Sequence, residues 1–174
     1  TRTAAPDDAD LTTNDSKARP PAGRSSRADA IARLTGAGEP FELEMRVRNG
    51  RPERCFKNAP TSLRDLFDAT ASDLPFLVYG EERLTFAEAW KAAGALGHVL
   101  AYRYGVAKGD RVAISMRNYP EWIIAFTAAT AIGAIAVAMN AHWSPDEMAF
   151  ALRDAGAKVL FADKERLDRL AQIA

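Results

Sequence analysis

The sequence predicts an α/β fold: a mainly parallel sheet with helices on its faces, entered through two β-hairpins and a disordered leader. Three observations carry that prediction. Residues 41–48 alternate apolar and charged without a fault and end at Asn49-Gly50. From Thr85 the apolar spacing changes from two residues to between three and four. Beyond it, short apolar runs alternate with amphipathic helical stretches, the order that specifies parallel strands joined by right-handed crossovers.

Thr1 to about Ala28 holds one large aliphatic residue, Leu11, among Asp, Thr, Ser, Arg and Pro. Such a segment cannot bury enough apolar surface to offset its ordering entropy, and it reads as the leader. A short helix follows, with Asp29 as cap, Ile31 and Leu34 on its apolar side, and Gly36 and Gly38 as the stop. Phe41, Leu43, Met45 and Val47 then share one strand face, and Glu42, Glu44, Arg46 and Arg48 the other. Asn49 and Gly50 both tolerate positive φ, so Arg51–Phe56 returns antiparallel, with Pro52 on an edge. A second hairpin runs from Phe76 to Tyr79, turns at Gly80-Glu81-Glu82 and returns through Arg83 to Thr85.

Thr85-x-x-Glu88 is a capping box, in which hydroxyl and carboxylate each serve an orphan amide. The helix it opens carries Phe86, Ala89, Trp90, Ala93, Leu96 and Leu100 on one side and stops by Gly105. Gly94 and Gly97 on that helix read as close-packing positions, and Trp90 and Trp122 as core. Arg111–Met116 reads as a strand, Asn118–Glu121 as a helix start, and Ile135–Met139 as the next strand. Ser144-Pro145-Asp146-Glu147 is a second capping box, for a helix carrying Met148, Phe150, Ala151 and Leu152 and ending at Gly156. Lys158–Ala162 is a third strand, and Asp163 caps a final helix with Leu167, Leu170 and Ile173 inward.

Bulk properties exclude several functions. Formal net charge is zero, and basic and acidic residues nearly balance on both sides of Pro60 (11 and 9 through it, 12 and 14 after). A nucleic-acid partner would require a basic excess that neither half has. Cys55 is the single cysteine, so no internal disulfide or thiolate cluster can form, and a reducing, cytoplasmic setting is expected. With no base at hand, Cys55 reads as structural. Trp122–Met139 is an 18-residue run without a charge. It is rich in Ala, Ile and Thr, interrupted by Gly133 and lacks a basic flank, so a buried helix followed by a buried strand is expected, with no transmembrane segment. His98 has no second ligand at four-residue spacing, and no metal site is expected. Thr35-Gly36-Ala37-Gly38 lacks the strand–loop–helix context of a phosphate site.

Five blocks stand in register over about 80 residues: Leu84-Thr85-Phe86-Ala87-Glu88-Ala89, Gly105-Val106 with Lys108-Gly109-Asp110-Arg111-Val112-Ala113-Ile114, Asn118 with Glu121-Trp122, Ile132 to Asn140, and Ser144-Pro145-Asp146-Glu147 with Ala157 to Asp163. Phe56-Lys57-Asn58 and Ser62-Leu63-Arg64 lead into them. Together they resemble the N-terminal part of AMP-forming acyl-CoA synthetases of the fatty-acid–CoA ligase type, in the adenylate-forming superfamily. Ala138 stands where that family usually has Pro.

The resemblance implies a two-step reaction. A carboxylate attacks ATP to give an acyl-adenylate, and the CoA thiol then displaces AMP, with Mg²⁺ on the triphosphate and a fatty acid as the substrate of the complete enzyme. The family grips the triphosphate with a Ser/Thr/Gly-rich loop ending in Pro-Lys-Gly, which this sequence does not contain. Residues 29–174 are therefore expected to be the N-terminal part of the AMP-binding domain, truncated before the phosphate loop. No catalytic residue, tight cofactor binding or activity is expected of this segment alone. By the same resemblance, Asn140, Ala141, His142 and Trp143 form the loop beside the CoA nucleotide. A loop leaving the carboxyl end of a parallel strand toward a helix N-terminus suits an anion. Trp143 could stack on adenine or plug the core. Arg166 and Arg169 read as solvated helix-face arginines, with a CoA phosphate contact as the alternative. A different class remains open: a free-standing nucleotide- or CoA-binding or protein-interaction α/β module. A flavodoxin-like carrier is disfavoured because bulky Arg117-Asn118-Tyr119-Pro120 follows the first parallel strand. An uncovered sheet edge is expected to favour self-association.

Overall fold

A computed structural model of the chain describes residues 26–173. Most of the expected leader therefore lies outside the described residues. The chain divides into two compact units, residues 1–59 and 60–174.

In the first unit, α1 (Arg27–Thr35) precedes the hairpin of β1 (Leu43–Arg48) and β2 (Arg51–Phe56). The cap of α1 is Ser26; Asp29 is the third helical residue of the capping box and returns a bond to the Ser26 amide. The expectation of Asp29 as cap was three residues late, because a capping box places an acid inside the first turn as well as a cap before it. Asn49 and Gly50 both adopt positive φ, 51° and 76°, and set Arg48 opposite Arg51, so the hairpin forms in the expected register. Val47 is 76% exposed and Met45 65%, so the alternation reports strand geometry here and not burial.

The second unit opens with α2 (Leu63–Thr70), which the sequence reading did not include. Its signals were present: Ser62 accepts from the Asp65 amide, and Leu63, Leu66 and Phe67 follow at helical spacing. The second hairpin, β3 (Pro75–Tyr79) and β4 (Glu82–Thr85), pairs Tyr79 with Glu82 around a two-residue turn. Then come α3 (Phe86–Tyr102), β5 (Arg111–Ser115), α4 (Pro120–Ala131), β6 (Ile135–Ala138), α5 (Pro145–Ala155), β7 (Ala157–Ala162) and α6 (Lys164–Leu170). Both capping boxes, at Thr85 and at Ser144, form as expected. The uncharged run from Trp122 divides between α4 and β6, and Gly133, at φ 81°, makes the turn between them. No helix among the described residues is long and apolar enough to cross a membrane.

The parallel sheet has the order β6-β5-β7. The chain steps one way from β5 to β6 and the other way from β6 to β7, so crossovers of one hand place α4 and α5 on opposite faces. One face packs Val112 against Leu100, Ala128 and Ala129 of α3 and α4, and the other packs Ala113 against Met139 and Met148. Fully burying side chains such as Leu100, Ile114 and Met148 stabilises by about 1.5–3 kcal/mol each. Gly97 lets α3 and α4 approach closely: a Cβ there would stand 3.1 Å from the Ile132 side chain. Gly94 has open space around it and is no close-packing position.

Candidate functional site

The carboxyl ends of three parallel strands bring three loops together, the usual place for a ligand in an open α/β sheet. Residues 116–119 follow β5, residues 139–144 follow β6, and Asp163 follows β7. Two of the crevices that border these loops differ in charge. One, about 380 Å³, is lined by Tyr79, Met116, Tyr119, Glu82, Glu121 and Asp163 and carries three carboxylates. The other, about 350 Å³, is lined by Arg117, Asn118, Ala141 and His142 and has no acid in its wall. An anionic ligand is favoured in the second and repelled from the first.

Asn140–Trp143 is a folded turn. The Asn140 side-chain oxygen accepts from the His142 amide at 2.9 Å, and its carbonyl accepts from the Trp143 amide at 3.3 Å. This Asx turn is local chemistry that Asn supplies. Asn140 and His142 are exposed, and Trp143 is half-buried. The Trp143 ring packs on the core around Ala113, Met139 and Met148, and its remainder lines a groove with Val137 and Phe150. Phe150 of α5 is 64% exposed there.

The loop is held from below by α6. Arg166 Nε and Nη2 donate to the Ala141 carbonyl at 2.9 and 2.6 Å. Arg169 Nη1 donates to the same carbonyl at 3.0 Å and to that of Trp143 at 3.2 Å. Arg166 is 1% exposed and also pairs with Asp163 at 3.2 Å and Glu165 at 2.8 Å. Arg169 pairs with Glu165 at 2.6 Å. The expectation of solvated arginines is overturned for Arg166, as is that of a final helix with Leu167, Leu170 and Ile173 inward: Leu167 is 51% exposed, and Ile173, beyond the end of α6, is 44% exposed. Only Leu170 packs inward, one turn from Arg166. Waiting carbonyls and carboxylates outweigh the apolar pattern, since a buried guanidinium is tolerated when its donors are satisfied.

Burial alone would raise the Asp163 carboxyl, but the amides of Arg117 and Arg166 and the Arg166 guanidinium hold it below the usual aspartate range. Desolvation likewise opposes ionisation of Glu165, and the charges of Arg166 and Arg117 with the Arg169 hydrogen bond reverse it. The Ser115 hydroxyl, at the end of β5, is fully buried and without a hydrogen-bond partner among the described residues; sequence gave no sign of it. His98 stacks on Tyr102 at 4.3 Å and is exposed. Among the described residues no group of three His, Cys, Asp or Glu side chains could hold a metal ion.

The comparisons with known proteins converge on one family. The family model described as AMP-binding enzyme matches residues 66–174, well over half of the chain. This chain belongs to the AMP-binding enzyme family. A medium/long-chain-fatty-acid–CoA ligase of Mycobacterium tuberculosis is 35% identical over 118 residues, 66% of this chain and 20% of the relative. A 3-hydroxybenzoate–CoA/4-hydroxybenzoate–CoA ligase of Thauera aromatica is 34% identical over 98 residues, 56% of this chain and 18% of the relative. Among solved structures, a Mycobacterium tuberculosis fatty acyl CoA synthetase superposes with a TM-score of 0.61 at 30% identity, over 64% of this chain and 23% of that one. An anthranilate CoA ligase in complex with anthranoyl-AMP gives 0.61 at 27% identity, over 64% and 22%. The family member described here thus spans about a fifth of the length of the curated relatives it matches. Its α/β architecture is that of the N-terminal region of adenylate-forming enzymes, as expected from the sequence.

Proposed function

We propose that the chain is the N-terminal segment of an ATP-dependent carboxylate–CoA ligase that forms an acyl-adenylate and then an acyl-CoA thioester, with a fatty acid as the carboxylic acid. The observation that carries this reading is the family match over residues 66–174 with CoA ligases of fatty and aromatic acids as relatives. Residues 29–174 belong on this reading to one domain, supported by the Phe56-Lys57-Asn58 lead-in. The single cysteine supports a cytoplasmic setting.

CoA fits the residues present. Ala141 and His142 line a crevice that Arg117 makes favourable to an anion, and Asn140 is exposed in the same turn; the uncovered part of Trp143 lies in a separate groove whose Asp146, Glu147 and Asp154 leave only its apolar surface for a ring. Bound CoA supplies the thiol that accepts the acyl group; the residues here bind and orient its nucleotide end. The triphosphate does not fit, because the carboxyl-end crevice at the switch between β5 and β7 is acidic and no phosphate-cradling loop is in the sequence, and no group of three His, Cys, Asp or Glu side chains among the described residues could hold Mg²⁺. Binding to this segment is therefore weak. With β6 and β7 as edges among the described residues, the chain by itself is expected to self-associate.

The test is fatty-acid-dependent ATP–pyrophosphate exchange. The complete enzyme exchanges pyrophosphate and makes acyl-CoA, and the purified 174-residue chain does neither. Exchange by the chain alone overturns the assignment of the phosphate-gripping groups elsewhere. A free-standing binding module would show CoA binding with no exchange in any context.

A further inference from the structure

The paired arginines of α6 face a loop they reach from 25 and more positions away in sequence, and almost every donor they own is used on it or on the neighbouring acids. A helix of seven residues has little stability of its own, so this arrangement is maintained by tertiary bonds. A forked guanidinium fixes a carbonyl in direction as well as distance, which a flexible ammonium does not. The Ala141 carbonyl, receiving both arginines, turns inward, and the peptide that follows it carries the His142 amide to the Asn140 side chain. The loop's shape is thus set from beneath, while its outer side borders the Arg117–His142 crevice.

Resting on the CoA ligase reading, we propose that Arg166 and Arg169 form a clasp that presets the Asn140–Trp143 loop for the nucleotide end of CoA. They are positioning residues, acting on CoA through the loop and not by touching its phosphates. Arg166 cannot reach a ligand without giving up its bonds, since it is 1% exposed and satisfied by Ala141, Asp163 and Glu165. The clasp is also braced by charge: Glu165 pairs with both arginines and, at 3.2 Å, with the Arg117 guanidinium that lines the crevice.

Two measurements test this, and they fail separately. Hydrogen–deuterium exchange of the 174-residue chain reads the clasp whatever the chain's function: Arg166→Lys and Arg169→Gln should speed exchange at residues 139–144 at least tenfold and leave β5 amides unchanged. Steady-state kinetics of the complete enzyme read the consequence: KM for CoA should rise about tenfold in both variants, ATP–pyrophosphate exchange should stay within twofold, and 3′-dephospho-CoA should suffer the same factor as CoA. Unchanged exchange in the loop overturns the clasp. A KM effect that vanishes with dephospho-CoA assigns direct phosphate contact and overturns the positioning role. Should Arg166→Lys fail to fold, Arg169→Gln decides, because its side chain is 26% exposed and its loss leaves Arg166 paired. A wild-type enzyme that ignores CoA fails the ligase reading while the exchange arm still judges the clasp.

Discussion

The two ends of the β6-β5-β7 sheet solve the same problem with opposite degrees of burial. At the amino end, Lys158 donates to the Gly105 carbonyl at 2.6 Å and to Asp110 at 2.9 Å, and Arg111 donates to the carbonyls of Ala155 and Gly156 where α5 stops. At the carboxyl end, Arg166 and Arg169 do this for the loop after β6. Both ends use cations to satisfy carbonyls that regular structure leaves over. Lys158, however, is 44% exposed, whereas Arg166 is 1% exposed. The amino-end pairs tie turns together in water and could be replaced by solvent. At the carboxyl end Arg166 has displaced solvent altogether, with Arg169 26% exposed beside it, beneath the loop that borders an anion-favouring crevice. Rigid support is concentrated where a ligand's outline would have to be matched.

The difference can be broken most directly by removing one cation from each end. Arg166→Met should cost about 3 kcal/mol in chemical denaturation, because it takes the guanidinium from Asp163 and two of the three donors from the Ala141 carbonyl in a dry place. Lys158→Met should cost below about 1 kcal/mol, the usual worth of a solvated pair. Equal costs would erase the distinction between the ends.

A smaller effect sharpens the same contrast through pH. Asp163 has a folded pKa below its ordinary value, so its contribution is fully present above about pH 4 and is lost as pH falls toward the lowered folded value. Wild type should therefore exceed Asp163→Asn by about 2 kcal/mol at pH 6, with the gap closing as pH falls below about 4. Asp110, lowered by the Ala107 amide and by Lys158, shifts in the same direction at the amino end. Its greater exposure, 30% against 14% for Asp163, makes the corresponding gap smaller. A gap for Asp163→Asn that widens on acidification would contradict the assigned sign.

What sequence could reveal follows the range of the interactions. Hairpin turns, the capping boxes at Thr85 and Ser144 and the left-handed Gly156 that ends α5 depend on neighbours within four residues and were legible, whereas the Ser26 box of α1 was read three residues late. Helix α2 was equally local and was missed although Ser62 and Asp65 announced it. Arg166 could not be read correctly from its own surroundings, because the groups that bury it lie on another loop and an apolar pattern of Leu167, Leu170 and Ile173 pointed the helix the wrong way. Trp143 stayed open between core and ligand for the same reason: only the fold shows that one part of the ring joins the core of Ala113, Met139 and Met148. The unpartnered Ser115 hydroxyl belongs to this class too.

The central claim is that the loop after β6 forms a wall for CoA in a carboxylate–CoA ligase. It is tested most directly by the two half-reactions of the complete enzyme carrying Asn140→Ala, which removes the Asx turn and leaves the clasp intact. The account predicts a KM for CoA raised about tenfold with fatty-acid-dependent ATP–pyrophosphate exchange unchanged. A loss of exchange with an unchanged KM for CoA would place the loop in the adenylation step and contradict it.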